Sequence, residues 1–453
     1  CGEALTTIGA MGVSAMMHGY LPFDREGNQA AGFRTWRNTV TEKEAAELTA
    51  LFGFNVPQRW SVAHLYRAIR LGEGHAPHIG FLTTLAGYVH WQLTGQKVLG
   101  TGEASGMFPL DAATHDYDAA MLEKFNTLIT PYQLPWRLGD ILPKVLTAGD
   151  DGGGLTPHGA ALLDPSGQLR PGTPFCPPEG DAGTGMVATN SVSPRTGNVS
   201  AGTSIFAMVV LERPLSQVYP EIDIVTTPTG KPVAMVHCNT CTSDLDAWVG
   251  LFQELLGGAG AAIHKNDLYT LLYRQALSGA PDCGGVVNFN CFSGEPVMGL
   301  EEGCPMLLRK PLAPLSLGNF MRAQLYAALA PLGIGMEILW QEHVALDKLY
   351  GHGGLFKVPQ VAPLLMASAL GVPVSVLETA GEGGPWGMAV LAMFRKERRQ
   401  GESLESYLNE KVFAHAKEDC AQPDPSTAEG FDHYLSLYKA ALPAQSAGAS
   451  IFA

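Results

Sequence analysis

Apolar and polar positions near the start of the chain predict a small sheet. Residues 8–15 and 20–23 are apolar runs, and the polar residues 24–28 separate the second run from another short strand-like segment. Short apolar runs joined by turn residues are typical of neighbouring antiparallel strands. We therefore expect a β-meander in this region.

Helical patterns follow this predicted sheet. Thr41 and Glu44 can form a capping box for a helix, and Gly53 is a residue type that commonly ends one. The spacing of apolar residues in 61–72 and 79–93 predicts two more helices. Much later, Thr242 or Ser243 is expected to cap a helix whose apolar face consists of Leu245, Trp248, Val249, Phe252 and Leu256.

A tight hairpin is predicted in the middle of the chain. Residues 199–200 and 205–210 have the composition of strands, which places Gly202, Thr203 and Ser204 in the turn between them. Glycine allows a ligand to approach the backbone closely, and the amides and hydroxyls of such a turn can face a phosphate. This turn is a candidate anion site that needs no lysine.

Two further glycine segments stand between predicted strands and helices. Gly353-Gly354 follows a strand-like run at 346–350 and precedes a helix predicted at 359–370. Gly383-Gly384 follows a predicted strand at 372–377 and opens another helix. Backbone amides and a helix N-terminus at such turns can face a flat or anionic ligand.

Composition restricts the class of protein. A length of 453 residues suggests two domains, and 46% hydrophobic with 16% charged residues indicates a compact globular chain. The net charge of −14, without a basic face, argues against nucleic acid as a partner. The apolar window at 323–340 is interrupted by Gln324, Pro331 and Glu337, so we expect no membrane span there. Eight scattered cysteines and no visible signal peptide favour the cytoplasm.

Asp181 is the candidate for chemistry. It stands among glycines, 21 residues before Gly202. A carboxylate near a phosphate cradle could take a proton from a hydroxyl that attacks the phosphate, as phosphoryl transfer to an alcohol requires. From these residues alone, a solvated Asp in a glycine-rich hairpin is an equally good interpretation.

Two other motifs could bind metal. Cys238 and Cys241 form a C-x-x-C motif, but zinc would require a second pair of ligands, so structural cysteines are the favoured interpretation. Asp150 and Asp151 lack the further ligands of a calcium loop, which favours a solvated turn. The metal ligands of the protein therefore remain unknown from the sequence.

The spacing from Asp181 to the Gly202 turn resembles that of the FGGY carbohydrate kinases, relatives of xylulokinase, ribulokinase and glycerol kinase. The Met-His-Gly at 17–19 resembles their sugar-binding loop, and residues 33–38 resemble the Trp-containing loop that follows it. Residues 288–296 resemble the family's Ser-Gly-Glu-Arg-x-Pro segment without its Arg. Taken from the residues alone, a buried histidine at 18 and a packing Trp at 36 would be sufficient explanations.

The resemblance implies an α/β, actin-like ATPase fold with two domains and a central cleft. It implies a sugar-binding domain at 1–190, a nucleotide-binding domain at 191–430, and a C-terminal helix and tail at 431–453. It also implies ATP and Mg²⁺ as cofactors. The implied site residues are Asp181 as the base, Gly202, Thr203, Ser204, Gly353, Gly354, Gly383 and Gly384 for ATP, and Met17, His18, Trp36, Arg37 and Asp181 for the sugar.

Our first hypothesis is an ATP-dependent kinase for a hydroxyl of a xylulose-like ketopentose or a related sugar or polyol. The alternatives are a non-catalytic ATP- or sugar-binding regulator, and a zinc or redox protein built on Cys238 and Cys241. The expected partner is a small molecule, with no nucleic acid and no membrane, and the oligomeric state stays open, a homodimer included.

One departure from the family concerns its first strands. Family members begin with a strand-turn-strand carrying Asp-x-Gly-Thr, which touches phosphates and Mg²⁺, whereas the first strand here begins at about Ile8. The only Asp-x-Gly-Thr in the sequence is at 181–184, and its distance from Gly202 makes it the Asp of the second domain instead. We expect a truncated chain rather than a non-catalytic one, and we expect residues 1–453 alone to phosphorylate no sugar at a useful rate.

Overall fold

Helices and strands alternate along the chain, and most strands in its first half are short. A computed structural model describes residues 8–379, 381 and 383–452. Residues 1–7, which precede the first predicted strand, lie outside the described residues. Glu382 of the third glycine segment also lies outside them.

The strands, in chain order, are β1 (Ser14–Ala15), β2 (Leu21–Phe23), β3 (Phe81–Thr83), β4 (Val98–Gly100), β5 (Leu110–Asp111), β6 (Asp116–Tyr117), β7 (Lys144–Leu146), β8 (Glu179–Gly180), β9 (Thr196–Ala201), β10 (Ile205–Val210), β11 (Ile222–Thr226), β12 (Pro232–Cys238), β13 (Val286–Phe289), β14 (Met306–Arg309), β15 (Lys348–His352), β16 (Val374–Leu377) and β17 (Glu418–Ala421). The α-helices are α1 (Glu42–Phe52), α2 (Ser61–Arg70), α3 (Leu85–Thr94), α4 (Thr101–Ala104), α5 (Ala119–Ile129), α6 (Leu138–Ile141), α7 (Pro157–Leu163), α8 (Asp181–Ala188), α9 (Ser243–Gly258), α10 (Lys265–Ala276), α11 (Leu317–Gln341), α12 (Val361–Leu370), α13 (Gly383–Glu397), α14 (Leu404–Tyr407) and α15 (Pro425–Ala449).

The chain divides into two units that are not contiguous in sequence. The first comprises Cys1–Pro194, Arg213–Ala234 and Glu382–His415, and the second comprises Arg195–Glu212, Met235–Gly381 and Ala416–Ala453. The predicted division at residue 190 falls close to the end of the first of these stretches. Helices α13 and α14, which the sequence places in the nucleotide-binding domain, cluster with the first unit.

The short strands of the first unit pair with distant partners. β1 lies parallel to β8, with Ser14 opposite Glu179, whereas β2 lies antiparallel to β3, with Leu21 opposite Thr83. The predicted β-meander is wrong for its first strand, because β1 pairs with β8. Its second part is confirmed by antiparallel bridges across the 24–28 turn, Phe23 with Gln29 and Tyr20 with Arg34. The predicted helix at 79–93 is partly wrong too, since its first part is β3 and α3 begins only at Leu85.

Helix α1 confirms the predicted end of a helix but not its predicted N-terminal cap. It ends at Gly53, which has the left-handed φ of 67° that this cap requires. The predicted capping box is wrong, because the Thr41 hydroxyl donates to the carbonyl of Gln58. The buried Glu44 carboxylate instead accepts from the Arg70 guanidinium, with 2.7 Å between Nε and Oε1. A buried charge needs such a partner.

The second unit is built around strands β9, β10, β15, β16 and β17. β9 and β10 form the predicted hairpin, with Ala201 opposite Ile205. β15 lies parallel to β9 and β16, and β16 lies antiparallel to β17. In the described part of the chain, α11 is the helix long and apolar enough to cross a membrane, but 78% of its most apolar window is buried. It is a core helix, as expected for the window at 323–340.

Candidate active site

Asp181 is the first residue of α8 and directly follows β8. The parallel pairing of β8 with β1 places the segment after Ala15 beside it. The backbone N–H of Met17 donates to Asp181 Oδ1 over 3.2 Å, and the N–H of Ala182 donates to the same oxygen over 3.0 Å. The carboxylate therefore has a fixed position at a helix N-terminus rather than in a glycine-rich hairpin.

This carboxylate lies on the wall of a cavity of about 580 Å³. The other lining residues are Gly12, Val13, Ser14, Ala15, Met16, Gly384, Pro385 and Met388. Asp181 reaches solvent through the cavity, yet the surrounding protein removes enough hydration to raise its pKa, against the opposing effect of the two N–H donors. A carboxylate with a raised pKa is a stronger proton acceptor near neutral pH.

Helix α13 packs closely on the helix that begins with Asp181. A Cβ built on Gly387 would collide with the carbonyl oxygen of Thr184, because it would lie within the 3.0 Å that real Cβ atoms keep from other heavy atoms. A Cβ on Gly384 would lie 3.1 Å from Thr184 Oγ1. The structure therefore brings Gly383 and Gly384, predicted to contact ATP, next to Asp181 in the first unit.

Two buried carboxyl groups lie behind Asp181, and sequence reasoning did not find them. Glu179 Oε2 accepts from the backbone N–H of Glu103 over 2.9 Å, and burial raises the pKa of Glu179 to about 8. Burial, with the charges of Asp181 and Glu179, raises the pKa of Glu103 well above its ordinary value, although the nearby Thr84 hydroxyl lowers it somewhat. Neither Glu103 oxygen meets hydrogen-bond geometry with a described residue.

Glu179→Gln is expected to flatten the pH dependence of stability. The folded protein binds the Glu179 proton more tightly than the unfolded chain, because burial raises the pKa from 4.5 to about 8. The stabilisation of the fold by this proton is complete below about pH 4.5 and is lost as the pH rises through about 8. At about 1.4 kcal/mol per pKa unit, the free energy of unfolding should fall by roughly a few kcal/mol between these values. Thermal unfolding of the wild type and of Glu179→Gln between pH 5 and 8 measures how the free energy of unfolding changes with pH. Equal slopes for the two proteins would contradict the assignment.

The predicted sugar loop has an unusual backbone. His18 is buried and has a φ of 67°, which is uncommon for a residue other than glycine. Its Nδ1 lies 3.2 Å from the carbonyl oxygen of Gly106, and its ring stacks on Trp60 with centroids 6.3 Å apart. Residues held in sparsely populated conformations cluster at ligand sites. Met17 binds Asp181 through its backbone N–H, and His18 is the next residue in the chain.

Trp36 and Arg37 have a different environment from His18. Both side chains are exposed, and the Arg37 guanidinium lies 5.1 Å from the centre of the Trp36 ring. Neither residue lines the cavity around Asp181. Arg34, which sequence reasoning did not select, is better anchored, since it pairs with Glu73 and lies 5.2 Å over the buried ring of Tyr20. The roles of Trp36 and Arg37 in sugar binding stay predictions.

In the second unit the structure brings two predicted nucleotide segments together. The Gly202 N–H donates to the Ser204 carbonyl over 2.9 Å and closes the turn after β9. Because β15 is parallel to β9, with His352 opposite Ser200, Gly353 emerges at the same edge of the sheet. Gly353 has a φ of 101°, and a Cβ there would collide with the carbonyl oxygen of Ala201.

A cavity of about 530 Å³ lies beside this edge, lined by Thr242, Asp246, Asn266, Tyr269, Thr270, Tyr273, Gly354, Lys357 and Val358. Its size is in the range of small-molecule sites. The Tyr269 hydroxyl donates to Asp246 over 2.6 Å, so part of the polar wall is already ordered. Sequence reasoning found only Gly354 among these residues as a ligand contact, since most of the others belong to α9 and α10, whose amphipathic patterns are ordinary. The arrangement offers a nucleoside-sized cavity close to a turn that can hold phosphate.

The C-x-x-C motif provides no metal centre in the part of the chain that the structure describes. Cys238 and Cys241 are buried, and burial raises the pKa of both thiols. Among the described residues no three His, Cys, Asp or Glu side chains are grouped to hold a metal ion. Asp151 instead forms an ion pair of 3.1 Å with Arg395.

Comparisons with known proteins agree with this arrangement. The profile of the FGGY family of carbohydrate kinases, C-terminal domain, matches residues 197–395. No curated protein matches the chain by sequence.

Solved sugar kinase structures resemble the whole chain. A xylulose kinase from Rhodospirillum rubrum is 19% identical, with a TM-score of 0.76 over 97% of this chain and 84% of that one. A gluconate kinase from Lactobacillus acidophilus is 14% identical, with a TM-score of 0.77 over 99% and 86% of the two chains. A Plasmodium falciparum glycerol kinase with ADP is 15% identical, with a TM-score of 0.71 over 97% and 84%.

These structures share one fold with this chain, the actin-like ATPase fold that the resemblance implies. The profile match falls on the segment that contains the Gly202 turn and Gly353-Gly354. Residues 197–395 of this chain therefore match the C-terminal domain of the FGGY family of carbohydrate kinases, and the chain shares its fold with solved sugar kinases.

Proposed function

We propose that the protein is an ATP-dependent sugar kinase that phosphorylates a hydroxyl of a xylulose-like ketopentose or a related sugar or polyol. The observation that carries this proposal is the Asp181 carboxylate, fixed by two backbone N–H groups on a cavity wall and raised in pKa. The structural neighbours are named for xylulose, gluconate and glycerol, which are all polyhydroxy compounds. Substrates of this class supply the hydroxyl that a carboxylate base requires.

The proposed chemistry is an in-line transfer with Asp181 as the base. Asp181 Oδ1 accepts the two backbone N–H groups, which leaves Oδ2 to accept the proton of the substrate hydroxyl. The substrate oxygen forms a bond to the γ-phosphorus of ATP, and the bond from that phosphorus to the ADP oxygen breaks. Met17, whose backbone N–H binds Asp181 Oδ1, and His18, which follows it in the chain, would help to orient the substrate.

The second unit would hold the nucleotide. The Gly202-Thr203-Ser204 turn offers amides and hydroxyls to phosphate, and the cavity lined by Gly354 is large enough for a nucleoside. The described residues form no cluster of three metal-ligating side chains, so we assign no residue to Mg²⁺. In phosphoryl transfer this ion is bound largely by the substrate phosphates and water, and it neutralises their charge.

An ADP-release assay with a panel of ketoses, sugar acids and polyols tests the proposal. The protein for this assay, called full-length here, is residues 1–453 preceded by the family's strand-turn-strand with Asp-x-Gly-Thr. We expect ATP turnover that depends on at least one member of the panel. Binding of ATP or a sugar without turnover across the panel would contradict the kinase and identify a non-catalytic binding protein on the same fold.

A further inference from the structure

Thr242 makes an unusual double contact with the Gly202 turn. Its backbone N–H donates to the carbonyl oxygen of Gly202 over 3.2 Å, and its hydroxyl donates to the same oxygen over 2.9 Å. One residue from the start of α9 therefore holds the turn that follows β9. Thr242 also lines the cavity that contains Gly354.

The hydroxyl of Thr242 is not used to cap its own helix. Thr242 precedes α9 with φ −97° and ψ −3°, and its side chain accepts no N–H from the first turn. Threonine at this position usually adopts an extended conformation and caps the helix. Asp244 and Asp246 add negative charge to the first turn, which disfavours an anion at this helix N-terminus. The Thr242 hydroxyl therefore binds the carbonyl oxygen of Gly202 instead of capping α9.

The segment before Thr242 is itself anchored at several points. The Thr240 N–H donates to Glu295 Oε2 over 3.1 Å, and the Asn290 amide donates to the Cys241 carbonyl over 2.7 Å. Glu295 and Asn290 are buried, so water does not compete for these bonds. The C-x-x-C segment thus forms a rigid support that connects the Glu295 region to the Gly202 turn.

We propose that Thr242 is a positioning residue that fixes the Gly202-Thr203-Ser204 turn for phosphate binding, with the C-x-x-C segment as its support. This inference rests on the proposed nucleotide site. A preorganised turn binds phosphate without first losing conformational freedom. Loss of the hydroxyl should therefore weaken nucleotide binding, even though the N–H bond to Gly202 remains.

The test compares Thr242→Val with Thr242→Ser in the full-length protein. Valine keeps the shape and removes the hydroxyl, whereas serine keeps the hydroxyl. We expect calorimetry with MgADP to give a Kd about fivefold to tenfold higher for Thr242→Val, the scale of one hydrogen bond, and a change within about twofold for Thr242→Ser. In turnover, KM for ATP should rise more than KM for the sugar.

Hydrogen exchange without nucleotide provides a second measurement. Amides of the segment around 202–204 should exchange faster in Thr242→Val than in wild type or Thr242→Ser. Unchanged exchange, or an equal loss of MgADP binding in both variants, would overturn the role of the hydroxyl. If the wild type itself fails to bind MgADP, the proposed function is contradicted, while hydrogen exchange still decides whether Thr242 orders the turn.

Discussion

The Asp181→Asn variant of the full-length protein is expected to lose about 10²-fold or more in kcat while its sugar binding stays nearly unchanged. Asparagine can still accept the Met17 and Ala182 N–H groups through its carbonyl oxygen, so the local structure should persist. It cannot take a proton from the substrate hydroxyl, and a lost general base has an effect of this size. Steady-state ADP release and equilibrium sugar binding measure the two quantities separately.

Asp151→Asn provides the matched control for this experiment. Asp151 is an exposed carboxylate of the same unit that pairs with Arg395, and the same substitution there should leave kcat within about twofold. Comparable turnover in Asp181→Asn and wild type would remove Asp181 from the mechanism. The raised pKa of Asp181 adds a further check, since the acid limb of the rate profile should lie above the ordinary range for an aspartate.

Sequence patterns predicted the features of this fold that depend on near neighbours. The hairpin at Gly202 and the end of α1 at Gly53 follow from a few adjacent residues, and the structure has both. The pairing of β1 with β8 joins Ser14 to Glu179, and no local pattern in the sequence specifies a partner so far along the chain. The capping-box prediction failed for the same reason, because Glu44 is buried against Arg70 of another helix.

The same limit applies to the candidate site. Asp181 and the glycine turns stand out because their residue types are unusual for their positions, and a family resemblance supports them. Glu103 and Glu179 gave no such signal, since a carboxyl group in a loop of small residues is normally solvated. The raised pKa values of Glu103 and Glu179 depend on burial, which arises only when α4 packs beside β8.

The two glycines after β15 should respond very differently to substitution. Gly353 has a left-handed φ of 101°, and its added Cβ would collide with the backbone carbonyl of Ala201. Neither strand backbone can move aside without breaking the pairing of β15 with β9. Gly353→Ala is therefore expected to destabilise the second unit by roughly 2 kcal/mol or more and to abolish ATP binding.

Gly354→Val is the contrasting variant, because the space around a Cβ at Gly354 is open to 4 Å and its φ is not left-handed. The fold should persist, but Gly354 lines the cavity proposed for the nucleotide, so the added side chain would occupy ligand space. We expect an ordinary melting temperature and a KM for ATP that rises far more than the KM for the sugar. Thermal unfolding together with both KM values distinguishes the variants. Equal increases in the two KM values for Gly354→Val would indicate a general fold defect and argue against a nucleotide at this cavity.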